Sequence, residues 1–140
     1  MFKNSLYCIA IYILSLQNGY AADYQYNKPS ELVGLLTEKI GVDCCINGIE
    51  KKVKFPAIEL KTQINTTSAN PTLPDEYEMP EQGVKVMQLV LSSPDLWKSF
   101  KSNKGKIVRI QCSLFHAISG HHMTPVLCEV SSISKPDELY

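Results

Sequence analysis

The sequence predicts a mainly β domain: a five-stranded, OB-like, partly open barrel with one short helix between its third and fourth strands. Five stretches either alternate apolar and polar residues or are continuously apolar over the length of a strand. A helix-start signal separates the third stretch from the fourth. The resulting order, three strands, a helix and two strands, is that of the OB fold. A small antiparallel sheet with one helix, not closed into a barrel, fits the same order and remains an alternative.

The first two predicted strands flank a segment rich in turn residues. We predict the first strand over Leu32–Thr37 and the second over Val53–Ile64. The second half of the latter alternates with period two, so one face is expected to be buried through Ile58, Leu60 and Ile64. Between the two strands, Gly41–Lys52 predicts a loop or irregular hairpin with a turn at Asn47-Gly48.

The middle of the chain combines a polar segment, a third strand and a helix. Residues 66–83 are rich in proline and acidic residues and predict a long polar loop outside the core. Val84–Leu91 is apolar on both faces and predicts a central strand. Ser93 followed by Pro94 marks the start of a helix. The side chains that this helix is expected to bury are Leu96, Trp97 and Phe100.

The last two strands are predicted to form a hairpin, with Lys106–Phe115 paired to Val126–Ile133. A turn centred on Gly120 matches apolar residues on one face, as a buried face requires. The pairs that this register sets opposite each other are Leu114 with Val126, Cys112 with Cys128, and Ile110 with Val130. Cys112 and Cys128 are therefore expected either to form a cross-strand disulfide or to pack as small hydrophobic residues.

The N-terminus has the pattern of an export signal over residues 1–21. Lys3 supplies a positive charge, Leu6–Leu16 is apolar, and small residues at Gly19 and Ala21 suit a signal peptidase. The apolar run is shorter than the roughly 20 residues that span a bilayer. We expect a mature single OB-like domain over residues 22–140 that is periplasmic or secreted and has no membrane span. In such a compartment the disulfide candidates are Cys44, Cys45, Cys112 and Cys128.

Charge and motif content argue against several functional classes. Acidic and basic residues are balanced at 14 each, so the sequence predicts no basic surface for nucleic acid. It contains no Gly-x-Ser-x-Gly elbow, no phosphate loop and no His-Glu-x-x-His helix. We therefore do not expect an enzyme.

The histidines are concentrated in the loop of the last predicted hairpin, at His116, His121 and His122. Together with Thr124 they are the candidate residues for binding a ligand or partner. Neutral imidazole is also a common ligand of zinc and copper. Because the first and last hairpin loops of an OB barrel flank one binding face, a metal site could add the two cysteines of the first loop, Cys44 and Cys45. Alternatively, His116 and one partner hold the loop through hydrogen bonds to backbone carbonyls, and no cofactor is bound.

The same hairpin resembles a known family. It is similar to the signature of exported bacterial proteins grouped as domain of unknown function 4431, carried here by Leu114-Phe115-His116-Ala117, Gly120-His121-His122, Thr124 and Val126-Leu127. The run Met87–Leu91 is similar as well. The resemblance implies an exported β domain and brings no activity with it.

Three functions are compatible with these observations. The first is a non-catalytic binding module outside the cytoplasm, whose two loops bind a protein or a glycan and which neutralises, for example, a toxin or a hydrolase. The second is a zinc- or copper-binding domain centred on the histidine loop. The third is a structural module of the cell envelope.

Overall fold

The computed structural model describes residues 21–70, 72 and 75–137, apart from the side chains of residues 45 and 46. The predicted export signal therefore lies, except for its last residue, outside the described residues. None of the helices in the described part is long and apolar enough to cross a membrane. The elements are β1 (Ala22–Gln25), β2 (Pro29–Ile46), β3 (Ile49–Thr67), a 3-10 turn (Glu76–Glu78), β4 (Glu81–Val90), α1 (Pro94–Asn103), β5 (Ile107–His116) and β6 (Val126–Ser134).

Strands β2 to β6 close into a barrel, to which β1 is added on the outside. Neighbouring strands follow the order β1-β3-β2-β5-β6-β4, and β3 also pairs with β4, which closes the ring. The pairs around the ring are antiparallel except β4 with β6, which is parallel. This connectivity is that of a Greek-key OB barrel, so the predicted fold class is confirmed and the open-sheet alternative is excluded.

The barrel is closed rather than partly open, because β3 pairs with two strands in succession. It pairs with β2 up to Leu60 and with β4 from Ala57, with a register shift between Glu59 and Ile64. Such a shift bends a strand and lets a sheet curl. The short strand β1, which the sequence reading did not predict, runs parallel to the end of β3.

Strands β2 and β3 are longer than predicted and project from the barrel as a two-stranded arm, residues 37–56. The β2–β5 ladder ends at Leu35 and the β3–β4 ladder begins at Ala57. Of the two alternatives predicted for Gly41–Lys52, the irregular hairpin is the one that forms, with a register shift between Asp43 and Ile46. Its tip is the predicted turn, since Asn47 and Gly48 both have positive φ, 57° and 74°, as a two-residue type I′ hairpin turn requires.

The barrel interior is filled by the alternating apolar residues of all five barrel strands and by Phe100 from α1. The helix begins as predicted: Ser93 Oγ accepts a hydrogen bond of 3.2 Å from the amide of Leu96, and Pro94 occupies the first turn. Trp97 was wrongly placed in the core. It is 41% exposed and contacts the edge of Phe100 at 6.0 Å between ring centroids.

The β5–β6 hairpin forms as predicted but its register was wrong by two residues. Leu114 pairs with Cys128 and Cys112 with Val130, so the turn is centred on His121 rather than on Gly120. A shift of two residues keeps every side chain on its face, and for this reason apolar matching did not distinguish the two registers. Cys112 and Cys128 are consequently diagonal neighbours, and they form a disulfide across a Cα–Cα distance of 5.6 Å.

The predicted polar loop over residues 66–83 is partly structured at both ends. Thr66 is buried at the end of β3, and β4 already starts at Glu81. Between them Asp75 caps the 3-10 turn by accepting a hydrogen bond from the amide of Tyr77. Strand pairing at both ends and side-chain hydrogen bonds therefore attach this segment to the barrel. Its polar composition did not predict this attachment.

Candidate functional site

The cysteine-bearing hairpin and the histidine-bearing loop meet, as expected for the two loops of an OB barrel. The loop in question, residues 117–125, connects β5 to β6 and lies against one face of the arm. His121 Nδ1 is 2.6 Å from Asp43 Oδ1. Gly120 approaches Cys44 so closely that a Cβ on the glycine would lie 3.6 Å from Cβ of Cys44. We call this contact region the loop junction; its residues are Gly41, Asp43, Cys44, Gly120, His121 and Met123.

Gly41 is the position in the loop junction at which an added side chain would displace Met123. A Cβ there would lie 2.6 Å from Sδ of Met123 and 3.1 Å from Cε1 of Phe55. The glycine therefore allows the Met123 side chain to lie directly on the backbone of β2. If β2 slipped by one residue, a residue with a side chain would replace Gly41 next to Met123. This contact therefore helps to fix the position of the loop on the arm.

The loop is fastened to the barrel at its other side through Gln88 of β4. The backbone amide of Gln88 donates to Thr124 Oγ1 at 2.9 Å. The side-chain Oε1 of Gln88 accepts from the backbone amide of Met123 at 2.6 Å. The Thr124 hydroxyl in turn donates to the carbonyl of Val126 at 2.7 Å. The structure thus places Thr124, a predicted binding residue, as a half-buried anchor of the loop.

His116 lies at the end of β5, where it contacts the start of β4. Its Nε2 is 2.9 Å from Glu81 Oε1 and its Nδ1 is 3.0 Å from the carbonyl of Ala117. The ring also contacts the buried Tyr26 edge to face, at 6.2 Å between centroids. Both of these oxygens are acceptors, so both ring nitrogens donate when the imidazole is protonated.

A chain of buried hydrogen bonds continues from Glu81 and was missed by the sequence reading. The amide of Glu81 donates to Thr66 Oγ1 at 3.2 Å, and the Thr66 hydroxyl donates to Tyr26 Oη at 2.8 Å. The Tyr26 hydroxyl donates to the carbonyl of Met79, also at 2.8 Å. Burial raises the pKa of Tyr26, so it remains the neutral donor of this chain. The only feature of the sequence that could have indicated this chain of hydrogen bonds is Thr66, which continues the alternation of buried residues in β3 beyond Ile64.

His122 is held inside the loop in its neutral form. Its Nδ1 accepts a hydrogen bond of 3.0 Å from the amide of Ile118, and its ring contacts Phe115 edge to face at 5.6 Å. Burial, and to a smaller extent the neighbouring His121, lower the pKa of His122. A proton on Nδ1 would remove the acceptor that the Ile118 amide uses.

The three histidines therefore point to three different places: His116 to β4, His121 to the arm and His122 to its own loop. Within the described residues no group of three or more His, Cys, Asp or Glu side chains could hold a metal ion. Cys44, a predicted metal ligand, is disulfide-bonded, and the side chain of Cys45 is outside the described part. Of these histidine contacts, only that of His116 with Ala117 is a hydrogen bond to a backbone carbonyl, whereas His121 contacts a carboxylate and His122 accepts from a backbone amide.

Large apolar side chains remain exposed on the arm and the loop. Among the described residues, eight large hydrophobic side chains are exposed, and four of them lie in these two segments: Ile40 at 70%, Val42 at 49%, Ile49 at 69% and Ile118 at 61%. We call Ile49, at the tip of the arm, and Ile118, in the loop, the apolar rim. No sequence pattern singled out these residues, because isolated apolar residues in turns carry no periodic signal.

The fold and site thus define an OB-like barrel in which the first and last hairpins are joined into one surface. Residues 86–134 match the family described as Domain of unknown function (DUF4431). The matched segment runs from β4 through α1 and β5 to the end of β6, and the match confirms the resemblance drawn from the histidine hairpin. No curated protein and no solved structure matched the chain.

Proposed function

We propose that this chain is a non-catalytic, exported binding module that uses the apolar rim and the loop junction to bind a protein partner outside the cytoplasm. A partner of the kind expected is an exported toxin or hydrolase that the module neutralises. The observation that carries the proposal is a loop that is fastened on both sides and leaves Ile118 exposed, next to an arm that exposes Ile49 at its tip.

The rigidity of the loop favours binding. Residues 117–125 are held by Asp43 on one side and by Gln88 on the other. A surface that is ordered before it meets its partner loses less conformational entropy on association. In OB barrels the loops between strands one and two and between strands four and five border the binding face, and these are the two segments that meet here.

The chemistry of the rim favours a protein over a glycan or a nucleic acid. Its exposed side chains are aliphatic, whereas sugars and bases are usually held by aromatic stacking and by convergent polar groups. The balanced charge of the sequence adds no attraction for phosphates. Export is supported by the signal pattern at the N-terminus and by the Cys112–Cys128 disulfide, since disulfides persist in oxidising compartments.

The test is a pull-down with the disulfide-intact mature protein from extracts of exported proteins, followed by titration calorimetry with the purified partner. We expect Ile118→Asp and Ile49→Asp each to weaken binding by about tenfold or more, the loss typical of a buried anchor residue. Ile107→Asp is the matched control, because Ile107 is also exposed, at 49%, but lies at the far end of β5.

Two results would contradict the proposal. One is the recovery of no partner; the other is a partner whose affinity is unchanged by both rim substitutions. A further variant with all three histidines replaced distinguishes a purely structural module, in which the replacement would change stability alone.

A further inference from the structure

The end of the barrel that carries α1 has a local excess of positive charge, although the charges of the whole chain balance. From Lys98 to Lys106 the sequence contains four lysines and no acidic residue. These four side chains and that of Trp97, which precedes them, are exposed. We call this set the basic face; its residues are Trp97, Lys98, Lys101, Lys104 and Lys106.

Within the described part of the chain none of these lysines is in an ion pair. Near the start of β5, Arg109 pairs with Glu31 and with Asp137, so these two carboxylates already have a cationic partner. The acid of α1 is Asp95, in its first turn. The basic face therefore keeps positive charge that is available to an anion outside the chain.

The position of the lysines is not explained by the helix alone. The C-terminus of a helix carries a partial negative charge that favours cations, but this effect fades within the last turn. It accounts for Lys101, which lies in the last turn of α1. It does not account for Lys98, in the middle of the helix, or for Lys106, which lies beyond the C-cap Lys104.

Trp97 adds an aromatic ring to the same flank of the helix. α1 buries Phe100, which is 2% exposed, and leaves Trp97 41% exposed. Residues four apart in a helix are neighbours on its surface, so Trp97 lies beside Lys101. Tryptophan is enriched where one side of its ring is apolar and the other is wet, as at the interface between a membrane and water.

We propose that the basic face docks on an anionic lipid surface, with the lysines at the phosphate headgroups and the Trp97 ring between them. Lysines are attracted to such a surface without a fixed pairing geometry, whereas lysine is depleted in interfaces between proteins. Single-stranded nucleic acid is held by successive stacking aromatics along a groove, and the basic face has a single aromatic residue on a helix. α1 would lie along the lipid surface, as interfacial helices do.

The basic face is separate from the surface that the proposed function uses. α1 leads into the start of β5 at Ile107, whereas the histidine loop leaves the end of β5 at His116. At about 3.3 Å per residue, the strand between them is about 30 Å long. Ile49→Asp and Ile118→Asp are therefore expected to bind lipid as the unmodified protein does. A missing protein partner would contradict only the proposed function, and a failure to bind lipid would contradict only the docking.

The first experiment mixes the disulfide-intact mature protein with vesicles made of phosphatidylglycerol and phosphatidylcholine in equal parts, at low salt. Trp97 is the only tryptophan in the sequence, so its fluorescence reports directly on the basic face. We expect its emission to move to shorter wavelength and the protein to sediment with the vesicles. Neither should occur with pure phosphatidylcholine, or at about 1 M salt, where the screening length is about 3 Å.

The second experiment removes charge from the basic face. Lys98→Gln combined with Lys101→Gln should weaken vesicle binding by about 25-fold, about fivefold for each lysine. The matched control is Lys51→Gln combined with Lys52→Gln, because these two lysines of the arm are also exposed and outside any described ion pair. It removes the same charge and should change vesicle binding little.

The proposal is overturned by a wild-type protein that stays in solution with the anionic vesicles. Sedimentation without a change in Trp97 emission also overturns it, because another surface would then bind the lipid. So do equal losses of binding in the two double variants. A Trp97 shift of the same size with a single-stranded oligonucleotide would overturn the choice of lipid.

Discussion

Removing the Tyr26 hydroxyl is the sharpest test of how the polar end of the barrel is held together. Tyr26 is fully buried, and its hydroxyl accepts from Thr66 at 2.8 Å and donates to the carbonyl of Met79 at 2.8 Å. In Tyr26→Phe the Thr66 hydroxyl proton loses its acceptor in a site from which water is excluded. A buried polar group left without its partner costs about 1–3 kcal/mol, and we expect a loss of unfolding free energy in that range.

The assay is equilibrium unfolding in urea with the disulfides intact. With a slope of about 1–3 kcal/mol per molar urea, the midpoint should fall by roughly 1 M. The partner variant Thr66→Val removes the donor to Tyr26 and also the acceptor of the Glu81 amide. Because the two variants share one hydrogen bond, the double variant should lose less than the sum of the two single losses.

Two outcomes would refute this reasoning. The first is a Tyr26→Phe midpoint within error of the wild type, which would show that Thr66 finds another acceptor at no cost. The second is strict additivity in the double variant, which would show that the two hydroxyl groups do not depend on each other. Tyr24→Phe is the control, because the Tyr24 hydroxyl makes only an exposed hydrogen bond of 3.3 Å to Glu31 and its loss should change the midpoint little.

Three further predictions concern the disulfide, the histidine loop and the loop junction. Cys112→Ala combined with Cys128→Ala opens a loop with a sequence separation of 16 and should cost about 3 kcal/mol in urea unfolding; an unchanged midpoint would contradict it. Because the pKa of His122 is lowered in the fold, the unfolded chain binds more protons, so stability should fall as the pH drops below about 6.5. The variant His122→Gln should flatten that decline, and an identical pH dependence in both proteins would be evidence against it. Gly41→Ala would place a Cβ 2.6 Å from Met123 Sδ, so the flexible Met123 side chain must move; we expect a cost of about 1 kcal/mol, the lower end for overpacking, that disappears when Met123→Ala is added.

The sequence was sufficient for features that depend on neighbours along the chain. Apolar runs and period-two alternation located the barrel strands, Ser93 and Pro94 marked the start of α1, and Asn47-Gly48 marked the tip of the arm. These signals are local because backbone dihedrals and capping hydrogen bonds involve residues only a few positions apart.

Local signals were ambiguous where two structures bury the same side chains. The β5–β6 register was off by two residues because a strand presents the same face every second residue. The outer parts of β2 and β3 were left outside the predicted strands because Gly41–Lys52 carries no apolar alternation, so a loop and an irregular hairpin could not be told apart. Only the ladder between β2 and β3 shows that this polar segment is strand.

The partners of the histidines were decided by the tertiary structure alone. His116 meets Glu81 across 35 residues of sequence, and His121 meets Asp43 across 78. No periodic pattern reports such pairs, because they form only when barrel closure brings β4 and the arm next to the last hairpin. The sequence by itself determined the strands, the helix and the clustering of the imidazoles. The closed sheet decided what each imidazole contacts. The reason is that hydrogen bonds depend on proximity in space, whereas periodicity depends on proximity along the chain.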